Sequence, residues 1–172
     1  MSTPAYGLIA NTTYFAQLWT ADSYGNISYG SSRATFTTLA VTVNKVHPTA
    51  DPFLLDDVLQ FSGVYFTSVT VRWAALPLQP PAADEVTGKG YIVEASSTNF
   101  GALSPGGVIS SSITYSLRAS TLVVDTPPLQ TNKDYYFRVG SLNHASFPNY
   151  LFWGSTKTNL QAVDPDIADP PY

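Results

Sequence analysis

The chain has 172 residues, 44% hydrophobic and only 12% charged, with a net charge of −4 and a pI near 4.8. That balance argues against electrostatic binding to nucleic acid or to an anionic membrane, and no run of about 18 apolar residues is present to cross a bilayer. The absence of cysteine removes disulfides, thiolate zinc sites and a thiol nucleophile.

The opening Met1-Ser2-Thr3-Pro4-Ala5 lacks the basic region and apolar core of a secretion signal. A secreted native protein would therefore make this chain a mature fragment or part of a longer polypeptide. Tyr14 to Thr20 alternates, with Tyr14, Ala16, Leu18 and Thr20 on one face and Phe15, Gln17 and Trp19 on the other. Ser23-Tyr24-Gly25-Asn26 is turn chemistry, Gly and Asn supplying positive φ. Ala34 to Val43 is a second extended run, and Val46 to Pro52 a linker broken by two prolines. Phe53 to Leu59 fits either one helical turn or an irregular first strand. Val64 to Trp73 is the clearest strand, followed by a Pro-rich loop over Leu76 to Gly90. Tyr91 to Ser96 is the next strand, and Ser97 to Ser112 a Ser/Gly-rich stretch. Ile113 to Leu117 and Thr121 to Val124 are short strands, and Tyr135 to Leu142 with Phe152 to Thr158 form a last pair. The tail from Asp164 to Tyr172 is Pro-rich and acidic, a linker or extended arm.

One segment occurs twice. Residues 8–15, Leu-Ile-Ala-Asn-Thr-Thr-Tyr-Phe, reappear at 129–136 as Leu-Gln-Thr-Asn-Lys-Asp-Tyr-Tyr, 121 positions later. At the same offset Ala21-Asp22 matches Leu142-Asn143, and Thr37-Thr38-Leu39 matches Thr158-Asn159-Leu160. Such a period points to tandem units. The second copy follows a full run of strands, whereas the first has almost nothing before it. The chain thus reads as one complete β-domain and the last two strands of another.

About seven strands separated by turns is the pattern of an immunoglobulin-like sandwich. Leu129 six positions before Tyr135, followed by Tyr136-Phe137-Arg138-Val139-Gly140-Ser141-Leu142-Asn143, resembles the sixth strand of fibronectin type III domains. Trp73 matches that family's Trp on the second strand. Gly90-Tyr91-Ile92-Val93-Glu94-Ala95 is similar to its third strand, and Thr121-Leu122-Val123-Val124 with Pro127-Pro128-Leu129 to its fifth strand and turn. The resemblance implies an all-β, fibronectin type III-like β-sandwich with an additional partial sandwich, or hairpin, at the N-terminus. It divides the chain into a partial unit at 1–45, a complete domain at 46–162 and a tail or linker at 163–172. Tyr14 and Tyr135 are expected to make tyrosine corners, and Trp73 to fill the centre of the sandwich. The complete domain is longer than usual for the family at Leu76–Gly90 and Ser97–Ser112, and no Arg-Gly-Asp loop is present.

No catalytic, cofactor or metal site follows from the residues. His47 and His144 stand apart from any nucleophile motif or metal-ligand spacing, and Glu85 and Glu94 form no carboxylate pair. Asp51, Asp56 and Asp57, like Asp164, Asp166 and Asp169, fit calcium at a junction or, more simply, a solvated linker. Asn11-Thr12-Thr13 and Asn26-Ile27-Ser28 match the glycosylation pattern.

A lone hairpin is marginal in water. The first copy is therefore a segment of a longer array, or is completed by strands of another molecule, or packs on the complete domain. Completion between chains, which head to tail generates a filament, leads to the expected function. That function is a non-catalytic structural protein at the extracellular or cell-surface location, a subunit or spacer of an appendage, fibre or adhesin. Its expected partners are copies of itself or neighbouring domains, with Tyr14, Leu18, Trp19 and Tyr172 at the assembly interface. The alternative is an accessory carbohydrate- or protein-binding module of a secreted enzyme, using Tyr24, Tyr29, Tyr150 and Trp153 as exposed aromatics.

Overall fold

The computed structural model describes residues 5–46, 60–77, 87–101 and 107–160. In chain order the strands are β1 (Thr13–Ala21), β2 (Ile27–Thr37), β3 (Phe61–Val64), β4 (Val69–Arg72), β5 (Gly90–Ser96), β6 (Val108–Thr114), β7 (Thr121–Val124), β8 (Asp134–Leu142) and β9 (Pro148–Lys157). They form a separate two-stranded sheet β1-β2, a three-stranded sheet β3-β4-β7 and a four-stranded sheet β6-β5-β8-β9. Every pairing is antiparallel. The last two sheets are the seven-stranded sandwich expected from the turn spacing.

Period-two alternation builds its core. Val69 and Val71 of β4 and Val124 of β7 face Tyr91, Val93 and Ala95 of β5 and Tyr135, Phe137 and Val139 of β8, all buried. Phe61 meets Phe137 edge-on across the sheets, centroids 5.2 Å apart. Trp73 is buried as expected, tilted on Tyr91 at 5.0 Å. The Tyr91 hydroxyl accepts from the Leu76 amide at 2.7 Å and donates to the Leu117 carbonyl at 3.0 Å. This satisfies its polar end inside the core.

Three segments depart from the sequence reading. The run Val64 to Trp73 is not one strand: β3 ends at Val64, the Tyr65 amide donates to the Ser68 carbonyl, and β4 returns from Val69. Aromatic turn residues disguised that corner as strand. In the Ser-rich stretch 97–112, β6 begins at Val108 and includes Ser110, Ser111 and Ser112. Ser110 and Ser112 stand opposite the core residues Ala95 and Val93, and Ser112 donates to the Val123 carbonyl of β7, so hydroxyls line the inner side of this edge strand. The second hairpin strand runs over Ile27–Thr37 rather than from Ala34 to Val43. Beyond it, residues 38–44 lie against the sandwich, with Ala40 and Val43 buried and Asn44 bridged to Ala74. The expectations for Phe53–Leu59, most of the Val46–Pro52 linker, the middle of the Leu76–Gly90 loop and the acidic tail fall outside the described residues.

Candidate functional site

The N-terminal hairpin is organised by its turn. The Asp22 carboxylate accepts from the Tyr24 and Asn26 amides, each at 2.9 Å, and from the Asn26 side chain at 2.8 Å. Those bonds, the Asn26 side chain foremost, hold the Asp22 carboxyl below its ordinary value. Gly25 has φ 84°, the left-handed position such a turn requires.

The internal repeat is a repeat of hydrogen bonds. In the second copy the Asn143 side chain accepts from the Phe147 amide, as Asp22 does from Asn26, and Ser146 stands at positive φ where Gly25 does. At the other end of the strands the Tyr14 hydroxyl accepts from the Ile9 amide at 2.7 Å, and the Tyr135 hydroxyl from the Gln130 amide at 2.9 Å. Asn11 and Asn132, at the same point of the two corners, have φ 49° and 54°. Thr38 donates to the Ile9 carbonyl as Thr158 donates to that of Gln130. The equivalence Thr38 with Thr158 corrects the sequence match there by one residue. The slip arises at the bulge that each strand pair carries, between Gln17 and Trp19 and between Phe137 and Arg138.

Equivalent positions differ sharply in burial. Tyr135, Phe137 and Val139 are core residues, Val139 with 0% of its surface exposed, whereas Leu18, the counterpart of Val139, is 77% exposed. Tyr14 is half-buried and stacks on Phe36, its cross-strand partner, at 5.8 Å. On the opposite face Trp19 pairs directly with Tyr29, and Phe15 and Ile27 line the same side, all four exposed. Tyr24 projects from the turn tip, 90% exposed. The hairpin therefore presents an apolar surface on both faces. Of the proposed interface, Tyr14, Leu18 and Trp19 are brought together on it, Trp19 opposite the other two, and Tyr172 lies outside the described residues. Phe15 and Ile27 were not among the expected interface residues, although Phe15 shares its strand parity with Trp19.

The sandwich does not present the other proposed aromatics as an open row. Trp153 is buried, correcting its place among exposed rings: it lies on the same side of β9 as Leu151, which pairs with the core residue Val139, and its indole N–H donates to the Arg72 carbonyl at 2.9 Å. Tyr150 is half-buried and occupied. Its ring lies 3.9 Å from the Arg138 guanidinium, Phe100 lies 4.2 Å from the same group, and Arg138 is paired with Glu94 at 2.6 Å. Burial first, then the Glu94 carboxylate, pushes the Tyr150 phenol well above its ordinary range.

The hairpin base is tied to the sandwich through polar bonds. Asn143 donates to the Thr38 carbonyl at 3.0 Å, Asn149 to that of Ala40 at 2.9 Å, and the His144 amide to the Asn11 side chain at 2.6 Å. Asn11 is fully buried in that role, which removes its Asn-Thr-Thr pattern as an accessible glycan acceptor. Asn26 is exposed, with its amide held by Asp22. Among the described residues no three His, Asp or Glu side chains cluster as metal ligands, and no helix is long and apolar enough to cross a membrane. All six junction aspartates considered for calcium lie outside the described residues.

Two packed antiparallel sheets, ordered β3-β4-β7 and β6-β5-β8-β9, define an immunoglobulin-like β-sandwich of the fibronectin type III kind. No protein-family model and no curated protein matches the chain. Among solved structures it is similar to the FN1-FN3 domains of chicken CNTN1, with 13% identity and a TM-score of 0.44 over 92% of this chain and 46% of that one. The chain thus spans less than half of that structure's length. It is also similar to a computationally redesigned β-sandwich, with 18% identity and a TM-score of 0.35 over 59% of this chain and 90% of the other.

Proposed function

We propose that this chain is a non-catalytic structural module of an extracellular or cell-surface fibre, appendage or adhesin, built from fibronectin type III-like units at 1–45 and 46–162. In this reading the hairpin is the sixth and seventh strands of a second sandwich, completed by strands of a neighbouring unit. The observation that carries it is the contrast between Leu18 and Val139, one strand position open in the first copy and sealed in the second. Completion would bury Leu18, worth about 1.5–3 kcal/mol when fully removed from water, and the still exposed parts of Tyr14 and Phe36. A chain that joins units this way acts as a spacer or subunit and needs no catalytic group.

Hydrogen exchange on the full chain tests the reading. An incomplete unit exchanges its β1 and β2 amides orders of magnitude faster than β5 and β8. Equal protection in the hairpin and the sandwich would mean that the hairpin is stable by itself, and the half-sandwich reading would be rejected.

A further inference from the structure

Within the four-stranded sheet, β8 has β9 on one side and β5 on the other, while β9 has no further strand beside it among the described residues. The repeated corner and turn make β1 the counterpart of β8 and β2 that of β9. The edge of β1 away from β2 is then the edge that β5 fills in the complete unit. Against β8, β5 sets Tyr91, Val93 and Ala95 opposite Ser141, Val139 and Phe137, and all three are buried. The same register on the hairpin sets three inward side chains opposite Thr20, Leu18 and Ala16.

The outward positions define the partner further. On β8 they are Gly140, opposite Ile92, and Arg138, opposite Glu94. Gly140 is crowded: a Cβ there would lie 3.1 Å from Ile92 and 2.9 Å from Tyr150. Its counterpart on β1 is Trp19, so a strand lying there needs a small residue where β5 has Ile92. Arg138 is replaced by Gln17, so a carboxylate like that of Glu94 would lack the guanidinium that pairs it in the complete unit. This chain's own β5 is therefore a poor fit. Nor is β5 of a second copy available, since it is held between β6 and β8 in its own sheet. Lending β5 would remove the centre of the core.

Resting on the half-sandwich reading above, we propose that the partner of the hairpin is an extended strand of a non-identical fibronectin type III-like unit. It runs antiparallel along the free edge of β1. It carries apolar residues toward Leu18, a small residue against Trp19 and a neutral one against Gln17. Backbone pairing supplies the attachment, and the Trp19 and Gln17 positions supply the choice of partner.

The cysteine-free chain permits a trapping test. The full chain with Leu18→Cys, or with Ala34→Cys on the same face of β2, is mixed in glutathione buffer with a synthetic peptide of residues 88–97. The peptide carries Ile92→Ala, Val93→Cys and Glu94→Gln. Register-matched pairing raises the local thiol concentration, so the mixed disulfide at Leu18→Cys is expected in about tenfold excess over Ala34→Cys. The peptide that keeps Ile92 and Glu94 should trap several times less. Preferential trapping at Ala34→Cys would place the added strand on β2 and overturn the edge assignment, while leaving the half-sandwich reading intact. Equal background trapping at both sites would overturn the proposal. Light scattering supplies the last arm: the unmodified chain should remain monomeric, and self-association abolished by Leu18→Lys would identify the partner as a second copy. Failure of the half-sandwich reading itself is seen separately, as protection of the hairpin amides without any peptide.

Discussion

Leu18 and Val139 stand at the same position of a repeated strand, and one is open to water while the other is sealed in a core. The repeat supplies an internal control for what burial contributes. Val139→Ala should lower global stability by about 2 kcal/mol, the transfer loss plus a cavity that the packed sandwich closes only in part. Leu18→Ala should stay within about 0.5 kcal/mol, as for an exposed site. Urea unfolding with an unchanged slope measures both. A large loss at Leu18 would mean that the hairpin face is covered in solution.

The two tyrosine corners give a second matched pair. Tyr135→Phe leaves the Gln130 amide without its acceptor beside a buried ring and should cost about 1–2 kcal/mol. Tyr14→Phe removes the equivalent bond to Ile9 at an exposed site. It should leave the unfolding midpoint in place and accelerate exchange of the Ile9 amide alone. Equal losses of global stability would show that hairpin and sandwich unfold as one body.

Much of the fold was legible because its signals are local. Tyr135, Phe137 and Val139 alternate in sequence, and the Tyr corner and asparagine turn recur at a fixed offset. What stayed hidden depends on partners distant in sequence or on irregular backbone. Ser110 to Ser112 look like loop until β5 is seen beside them. Tyr65 and Phe66 have strand propensity yet form a turn, because Val64 pairs with Val69. Trp153 shares strand parity with Leu151, but only the pairing of Leu151 with Val139 shows that this is the buried side. The Arg138 cluster joins Glu94, 44 residues away, with Phe100 and Tyr150, and no spacing rule announces it. The candidate site itself was half legible: alternation placed Leu18 and Trp19 on opposite faces, but only the cross-strand register joins Trp19 to Tyr29.

Tryptophan fluorescence separates the exposed site from the core. Trp73 and Trp153 are fully buried and Trp19 is 54% exposed. A collisional quencher such as iodide should therefore reach one fraction of the emission, and Trp19→Phe should abolish it. Residual quenching in that variant would place Trp153 or Trp73 at the surface and reopen the sandwich as a binding platform.

Acid should act first on the hairpin. Asp22 has its carboxyl held below the ordinary 3.8 by the Asn26 side chain and the turn amides. A depressed folded value means that its contribution is present above the unfolded value and is lost as pH falls through the folded one. Cross-strand contacts between β1 and β2, followed by NMR, should weaken as pH drops below about 4, the unperturbed aspartate value, while the sandwich persists. Asp22→Ala should remove that pH dependence and leave a hairpin already frayed at neutral pH. A hairpin indifferent to both changes would show that the turn is held by its backbone alone.

Alkali should act on the sandwich through Tyr150 and Tyr91. Burial raises both phenols above the ordinary 10.0. For Tyr150 the Glu94 carboxylate adds to burial and Arg138 opposes it, while for Tyr91 the Leu76 amide opposes it. The folded state thus keeps two protons that the unfolded chain releases near its ordinary value. Their stabilisation is complete below about pH 10 and is lost as pH rises from there toward the folded values. The urea midpoint should fall over that range. Tyr150→Phe keeps a ring on the Arg138 guanidinium but has no proton to lose, so its midpoint should fall less steeply than that of the parent chain. Parallel profiles for the two proteins would mean that Tyr150 ionises as readily folded as unfolded, and that the Glu94–Arg138–Tyr150 cluster admits solvent.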